Sequence, residues 1–161
     1  MNPDDAARFA RLRARARERG LRLTPQRELL LQVLGRIAHH PTADELYRRA
    51  RKILPTISPA TVYRNAQMLA RAGVVGTLER AGSAVKYDGN PDDHHHFICA
   101  RCGSVADVYL NEVGYRLNDR RSRLTGAEIQ RCEVQLRGLC ARCAARAAGR
   151  GRARTGGARR R

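Results

Sequence analysis

Tryptophan is absent from this 161-residue chain, and phenylalanine occurs only twice. Without large aromatic anchors, the interior has to be built from Leu, Val, Ile and Ala. One large core is a poor prospect for such a chain, and two modest ones are expected. No apolar run approaches the ~18 residues that a membrane helix requires, so no membrane span is expected. The basic N-terminal stretch has no apolar segment, and no secretory signal is expected either. The cysteine count is five, an odd number. In a chain without a signal, cysteines arranged as two CxxC pairs favour metal over disulfides and point to the cytoplasm. There is no internal repeat. No HxE dyad of the zinc-deaminase kind occurs, and no nucleophile–base set is visible, so an enzyme is not expected.

What is present is positive charge, unevenly spread. The formal net charge is +17. Residues 1–86 hold 17 basic and 7 acidic side chains, residues 87–145 hold 8 of each, and residues 146–161 hold 7 basic and none acidic. A basic first half beside a neutral second half suggests a polyanion partner for the first half only. Solubility charge from an arginine-rich composition is the plainer alternative.

The first half is punctuated by caps. Residues 5–19 alternate Arg with Ala, Leu and Phe, and Phe9, Leu12 and Ala16 lie at helical spacing ahead of Gly20. Thr24-Pro25 reads as an N-cap followed by proline at the first helical position, with Leu29, Leu30, Val33, Leu34 and Ile37 as the buried face. A third amphipathic stripe begins after Pro41-Thr42 with Leu46, Ala50, Ile53 and Leu54. Ser58-Pro59 launches a fourth helix to about Ala72, with Val62, Ala66 and Leu69 inward and Gly73 as its stop. Two short strands, Val74 to Leu78 and Ala84 to Tyr87, flank the Gly82-Ser83 turn.

Helices followed by a hairpin describe a winged helix-turn-helix, whose last helix would enter the major groove. Its outward residues Thr61, Tyr63, Arg64, Asn65 and Gln67 can donate to phosphates or base edges. A polar solvated helix face is the alternative.

Gly89-Asn90-Pro91 reads as a hinge. Beyond it, His94 to Cys99 and Val105 to Leu110 resemble strands joined by a metal knuckle. Glu112 to about Leu124 is expected to be helical, with Gly114 against it. Glu128 to Arg137 is expected to be a third strand with Cys132, Val134 and Leu136 inward, Cys132 being a plain buried thiol. From Arg146 the chain reads as a disordered cationic tail that adds phosphate affinity without specificity. The expected organisation is therefore 1–86 winged-helix domain, 87–91 hinge, 92–145 metal-binding domain and 146–161 tail.

Two kinds of metal site are expected. Cys99, Cys102, Cys140 and Cys143 form two CxxC pairs, the thiolate set of a closed tetrahedral Zn2+ that leaves no open position for catalysis. A redox dithiol is the alternative. His94 and His96 alternate along a strand and share a face, while His95 points away. Asp88 and Asp107 on flanking strands are candidate oxygen ligands, and His40 can close the site if the domains fold together. A mixed imidazole and carboxylate set favours Fe2+ or Mn2+.

These residues resemble the ferric uptake regulator family of bacterial metal-dependent repressors. The resemblance runs from about Gly20 to Cys143. It rests on the stretches Arg22-Leu23-Thr24-Pro25-Gln26-Arg27, His40 to Tyr47, Ser58 to Arg64, His94 to Gly103 and Gly138 to Cys143. It implies an α+β fold: an N-terminal winged helix-turn-helix domain and a C-terminal α/β dimerisation domain with a four-cysteine zinc site. It also implies a homodimer on a palindromic double-stranded DNA operator. Arg22, Thr24, Arg27 and Ser58 join the helix residues above as DNA-contacting candidates.

Within the family the chain is most similar to the peroxide-sensing, PerR- and CatR-like branch. That branch implies His40, Asp88, His94, His96 and Asp107 as the regulatory ligands, with His40 and His94 as the oxidation candidates. A further metal site of some members falls on Gly114 and Cys132 here and is expected to be absent or altered. The rivals are an iron-, manganese- or zinc-responsive repressor without histidine oxidation, and a structural nucleic-acid-binding protein driven by the arginine tail.

Overall fold

A computed structural model describes residues 2–79, 82–114, 124, 126–129 and 132–147. The chain divides into two compact units, Met1–Asp92 and Asp93–Arg161.

The first unit comprises helices α1 (Pro3–Glu18), α2 (Pro25–Gly35), α3 (Ala43–Ile53) and α4 (Pro59–Arg71), followed by strands β1 (Gly76–Leu78) and β2 (Lys86–Asp88). Each helix begins on a side-chain cap, Asn2, Thr24, Thr42 and Ser58 in turn, whose oxygen accepts an N–H from the first turn. Three of these caps are followed directly by proline, which is preset for a helix and lacks the N–H that would go unmatched there.

Gly73 ends α4 with φ of 68°. Its N–H donates to the Ala70 carbonyl at 2.9 Å, and the Val74 N–H donates to Leu69 at 3.0 Å. This paired closure is a Schellman motif. It consumes Val74, and both Val74 and Val75 turn into the core. The hairpin therefore starts at Gly76, two residues later than alternation alone predicts. β1 and β2 are antiparallel, with Thr77 opposite Tyr87.

The core of this unit is aliphatic, as the lack of aromatics requires: Leu12, Leu30, Leu31, Leu34, Leu46, Val62, Leu69 and Val74 are fully or almost fully buried. α1 docks where Gly35 lets it approach. A Cβ at Gly35 would stand 3.1 Å from the Phe9 backbone nitrogen and 3.2 Å from the Asp5 carbonyl oxygen. Gly35→Val is accordingly expected to lower the stability of this unit by about 1–3 kcal/mol through overpacking. The small helix-propensity gain, a few tenths of a kcal/mol at about the Val–Gly difference, does not offset it. An unchanged thermal midpoint by circular dichroism would show that α1 simply moves aside.

The second unit is a three-stranded sheet of order β4-β3-β5, with β3 (His95–Cys99), β4 (Val105–Val108) and β5 (Gln135–Gly138). β3 pairs antiparallel with β4, which sets His96 opposite Asp107, and parallel with β5, which sets Cys99 opposite Gly138. Residues 141–147 are helical, directly after the second cysteine pair opens, a feature the sequence reading did not include.

The third strand covers Gln135–Gly138 rather than starting at Glu128, and Cys132 and Leu136 are exposed rather than inward. An inward face needs a core to face. Among the described residues of this unit, the buried apolar side chains are only Ile98, Cys99 and Cys143. Tyr109, Leu110, Ile129, Leu136 and Leu139 are left exposed. Glu112, Val113 and Gly114 are not helical, and the rest of the helix expected there lies largely outside the described residues, as does most of the cationic tail.

Candidate metal centres and DNA-facing surface

The four paired cysteines come together. One sulfur from each of Cys99, Cys102, Cys140 and Cys143 lies within 4.8 Å of all the others, and none forms a disulfide. The chain builds this cluster from two tight turns. The Gly103 N–H donates to the Cys99 carbonyl at 2.9 Å, and the Ala100 N–H reaches Gly138 at 2.7 Å, locking the end of β3 against the end of β5. The Arg101 guanidinium donates to the Cys143 carbonyl at 3.2 Å and holds the second turn against the first.

Four sulfurs held about 2.3 Å from one tetrahedral zinc stand about 3.8 Å apart, and the Cys102 and Cys140 sulfurs are 3.8 Å apart. Donor chemistry and spacing both fit Zn2+. The thiols are unequal: the backbone N–H of Cys140 lowers the pKa of Cys99. A side-chain hydrogen bond with Ser104 brings Cys102 down to about 5, and burial pushes Cys143 up to about 12. Cys102 is the exposed cysteine of the four and Cys143 a buried one, and all four would have to lose their protons to hold Zn2+. Ser104 was not legible as part of the site beforehand; its position two residues past a ligand was the available signal.

The histidine candidates are placed unit by unit. In the second unit, His94 and His96 bring their Nε2 atoms 3.0 Å apart, with ring centroids separated by 4.6 Å. Two nitrogens each about 2.1 Å from one ion, at right angles, lie about 3.0 Å apart. Asp107, set opposite His96 on β4, brings Oδ1 within 3.9 Å of His94 Nε2. This is a nitrogen and oxygen donor set suited to Fe2+ or Mn2+.

His95 does point away from that pair, as alternation requires, but it is not a surface residue. It is buried and its Nδ1 accepts the Val134 N–H at 3.3 Å, pinning the approach to β5. In the first unit, the Tyr87 N–H donates to the Pro41 carbonyl at 2.8 Å, and Thr42 bridges to Lys86. That pairing lays residues 41–42 along β2 and puts His40 Nε2 3.7 Å from Asp88 Oδ1, with both residues buried.

The nine DNA-contacting candidates divide by what their polar atoms already do. Thr24 and Ser58 are caps, and the Ser58 hydroxyl also lies 2.9 Å from that of half-buried Thr61. Arg27 donates to Asn65 Oδ1 at 3.2 Å and also to the Arg22 carbonyl, so it fastens α2 to α4. The Asn65 side chain donates back to the Thr61 carbonyl at 2.9 Å. Arg27 and Asn65 are thus tied to each other within the protein, and the Asn65 amide keeps a second N–H beyond the one given to Thr61. Arg22, Arg64 and Gln67 are exposed. Tyr63 is exposed too, but its hydroxyl donates to Asp44 Oδ1 at 2.7 Å. Asp44 was not among the sequence candidates.

The sequence pattern of the ferric uptake regulator family matches residues 18–137. The chain belongs to the ferric uptake regulator family. It is 32% identical over 130 residues to the peroxide-responsive repressor PerR of Staphylococcus aureus, an overlap of 81% of this chain and 87% of that protein. It is similar to the solved Campylobacter jejuni peroxide stress regulator, with 27% identity, a TM-score of 0.57 and coverage of 82% of this chain and 96% of that one. The Helicobacter pylori ferric uptake regulator Fur, at 23% identity, shares the fold with a TM-score of 0.64 over 89% of this chain and 97% of that one. Members of this family are metal-binding transcriptional regulators, not enzymes; they bind DNA and are dimeric. This ferric uptake regulator family member is accordingly a metal-responsive regulator. No helix among its described residues is long and apolar enough to cross a membrane.

Proposed function

We propose that this chain is a cytoplasmic homodimeric repressor that binds a palindromic double-stranded DNA operator and releases it in response to peroxide. Zn2+ in the four-cysteine cage holds the second unit together. Fe2+ or Mn2+ is the regulatory ion, with His40 and Asp88 from the first unit and His94, His96 and Asp107 from the second as its ligands. An ion that both units ligate is bound better when they are closed on each other, so it shifts the population toward the DNA-binding form. Arg22, Arg64, Gln67 and Tyr63 meet DNA, with Thr24, Arg27, Ser58, Thr61 and Asn65 holding the helices that present them.

The observation that carries the reading is the nitrogen and oxygen set around His94, His96 and Asp107, separate from a complete thiolate cage. A structural metal already has its own site, which leaves a second one for sensing. The peroxide-responsive and peroxide-stress relatives support the choice of signal. A bound Fe2+ would supply the redox chemistry that activates peroxide beside the ligands; overall, the ring of His40 or His94 would take one oxygen atom from one H2O2 in a two-electron oxidation, and the other oxygen would leave as water. A ligand so oxidised binds metal poorly, and the closed form loses its advantage.

The test loads the protein anaerobically with Fe2+, adds a small excess of peroxide and maps its peptides by mass spectrometry beside a Mn2+-loaded control. One added oxygen on the peptides carrying His40 or His94, in the iron sample only, is the expected result. Unmodified histidines in both samples would replace this reading with a repressor that responds to iron, manganese or zinc alone.

A further inference from the structure

Tyr63 stands on the exposed side of α4 with Arg64 and Gln67, while Val62, Ala66 and Leu69 occupy the buried side. A tyrosine hydroxyl has one proton to give and lone pairs to receive. Here the O–H is already engaged: it donates to the Asp44 carboxylate at 2.7 Å. Asp44 is itself held in place, because it lies in the first turn of α3 behind the Thr42 cap, whose hydroxyl accepts the Glu45 N–H at 3.3 Å. The Tyr63 ring is thus fixed at two points, by its own backbone on α4 and by its hydroxyl on α3. The same hydrogen bond raises the pKa of Tyr63 above its ordinary value.

We infer that Asp44 is a specificity-determining positioning residue: by accepting the Tyr63 O–H it makes Tyr63 read DNA as a hydrogen-bond acceptor with an apolar ring, not as a donor. The inference rests on the reading of α4 as the helix that meets the major groove. An acceptor there has only two complementary base-edge groups, the adenine N6 amine and the cytosine N4 amine. It repels phosphate oxygens and the guanine O6 and N7 acceptors. Asp44 adds a negative charge beside a polyanion, which costs general affinity. The arrangement trades affinity for discrimination, the signature of specificity built by making wrong pairings unfavourable.

The experiment selects binding sites from a pool of random DNA duplexes using the full-length, zinc-replete, Mn2+-loaded protein. Wild type, Asp44→Ala, Asp44→Asn and Tyr63→Phe are compared, and the selected duplexes and their single-base variants are then titrated. Wild type is expected to require adenine or cytosine at one position of each half-site. Tyr63→Phe and Asp44→Ala are each expected to lose about fivefold of that discrimination, the value of a single net hydrogen bond. The double variant should lose no more than either single one. Asp44→Asn, whose amide oxygen can still accept the Tyr63 O–H, should retain most of the preference. Thermal midpoints should agree across the set, since Asp44 and Tyr63 are exposed.

If Asp44→Ala keeps the wild-type preference and only binds all DNA more tightly, Asp44 is merely a repelling charge and the inference is overturned. Loss of preference in Tyr63→Phe but not in Asp44→Ala overturns it as well. Failure of the wild type to select any sequence strikes the repressor reading itself and the inference with it.

Discussion

Cys143→Ser is expected to abolish zinc binding and to leave the second unit unfolded beside an intact first unit. The reason is an imbalance in what each unit buries. The first unit has a continuous aliphatic core running from Leu12 to Tyr87. The second has three strands of four or five residues and, among its described residues, Ile98, Cys99 and Cys143 as its buried apolar side chains. A sheet that small cannot offset its conformational entropy by apolar burial. Structural zinc contributes roughly 10–16 kcal/mol of binding energy that becomes folding energy. Cys143 is the buried sulfur that ties residues 141–147 to the end of β3, so its loss opens the cage.

The expected readings are a fall from one zinc per chain to none, dissociation to monomers in light scattering, and loss of DNA binding. Most of the helical circular dichroism should persist, because α1 to α4 belong to the first unit. A variant that stays dimeric without zinc would show that apolar contacts, not the cage, hold this unit together.

Two neighbouring histidines should give opposite phenotypes. His94→Ala is expected to abolish metal-activated DNA binding while leaving the fold in place. Loss of partners that merely orient a metal ligand already lowers affinity about 10- to 100-fold, and removal of a ligand itself should exceed that. His95→Ala removes no proposed ligand. It leaves the Val134 N–H without its acceptor, at a cost of about 1–3 kcal/mol, and should lower the thermal midpoint while Mn2+ affinity stays near wild type. Titration of Mn2+ together with thermal melts of both variants checks this. Equal loss of Mn2+ affinity in the two would mean that His95 is also a ligand, and the assignment of roles by strand alternation would fail.

Much of the first unit was legible beforehand because its signals are local. A cap, a proline at the first helical position and a glycine stop are written within a few consecutive residues: a side-chain cap opens all four helices, proline follows it in α1, α2 and α4, and Gly20 and Gly73 stop α1 and α4. The β1 start was missed for a physical reason that is also local: the Schellman closure at Gly73 consumes Val74, and burial takes Val75, before pairing can begin. In the second unit the CxxC spacing was enough to identify the cage, since two short loops leave their sulfurs few ways to converge. The extent of β5 was not legible, because its partner β3 lies more than thirty residues away in a parallel pairing that no local pattern encodes.

The sequence by itself determined the helices, the turn chemistry, the two cysteine pairs that cluster and the membership of the ferric uptake regulator family, because each is carried by residue identity at short spacing. The tertiary structure alone decided which polar groups are already spoken for. Arg27 and Asn65 are far apart in the sequence and hydrogen-bonded to each other in the fold. His95 looks like a spare and holds Val134. Tyr63 looks like a donor to DNA, and its O–H donates to Asp44, nineteen positions earlier in the chain. A hydrogen bond between distant residues depends on where two elements meet, and that meeting is a property of packing that spacing along the chain does not record.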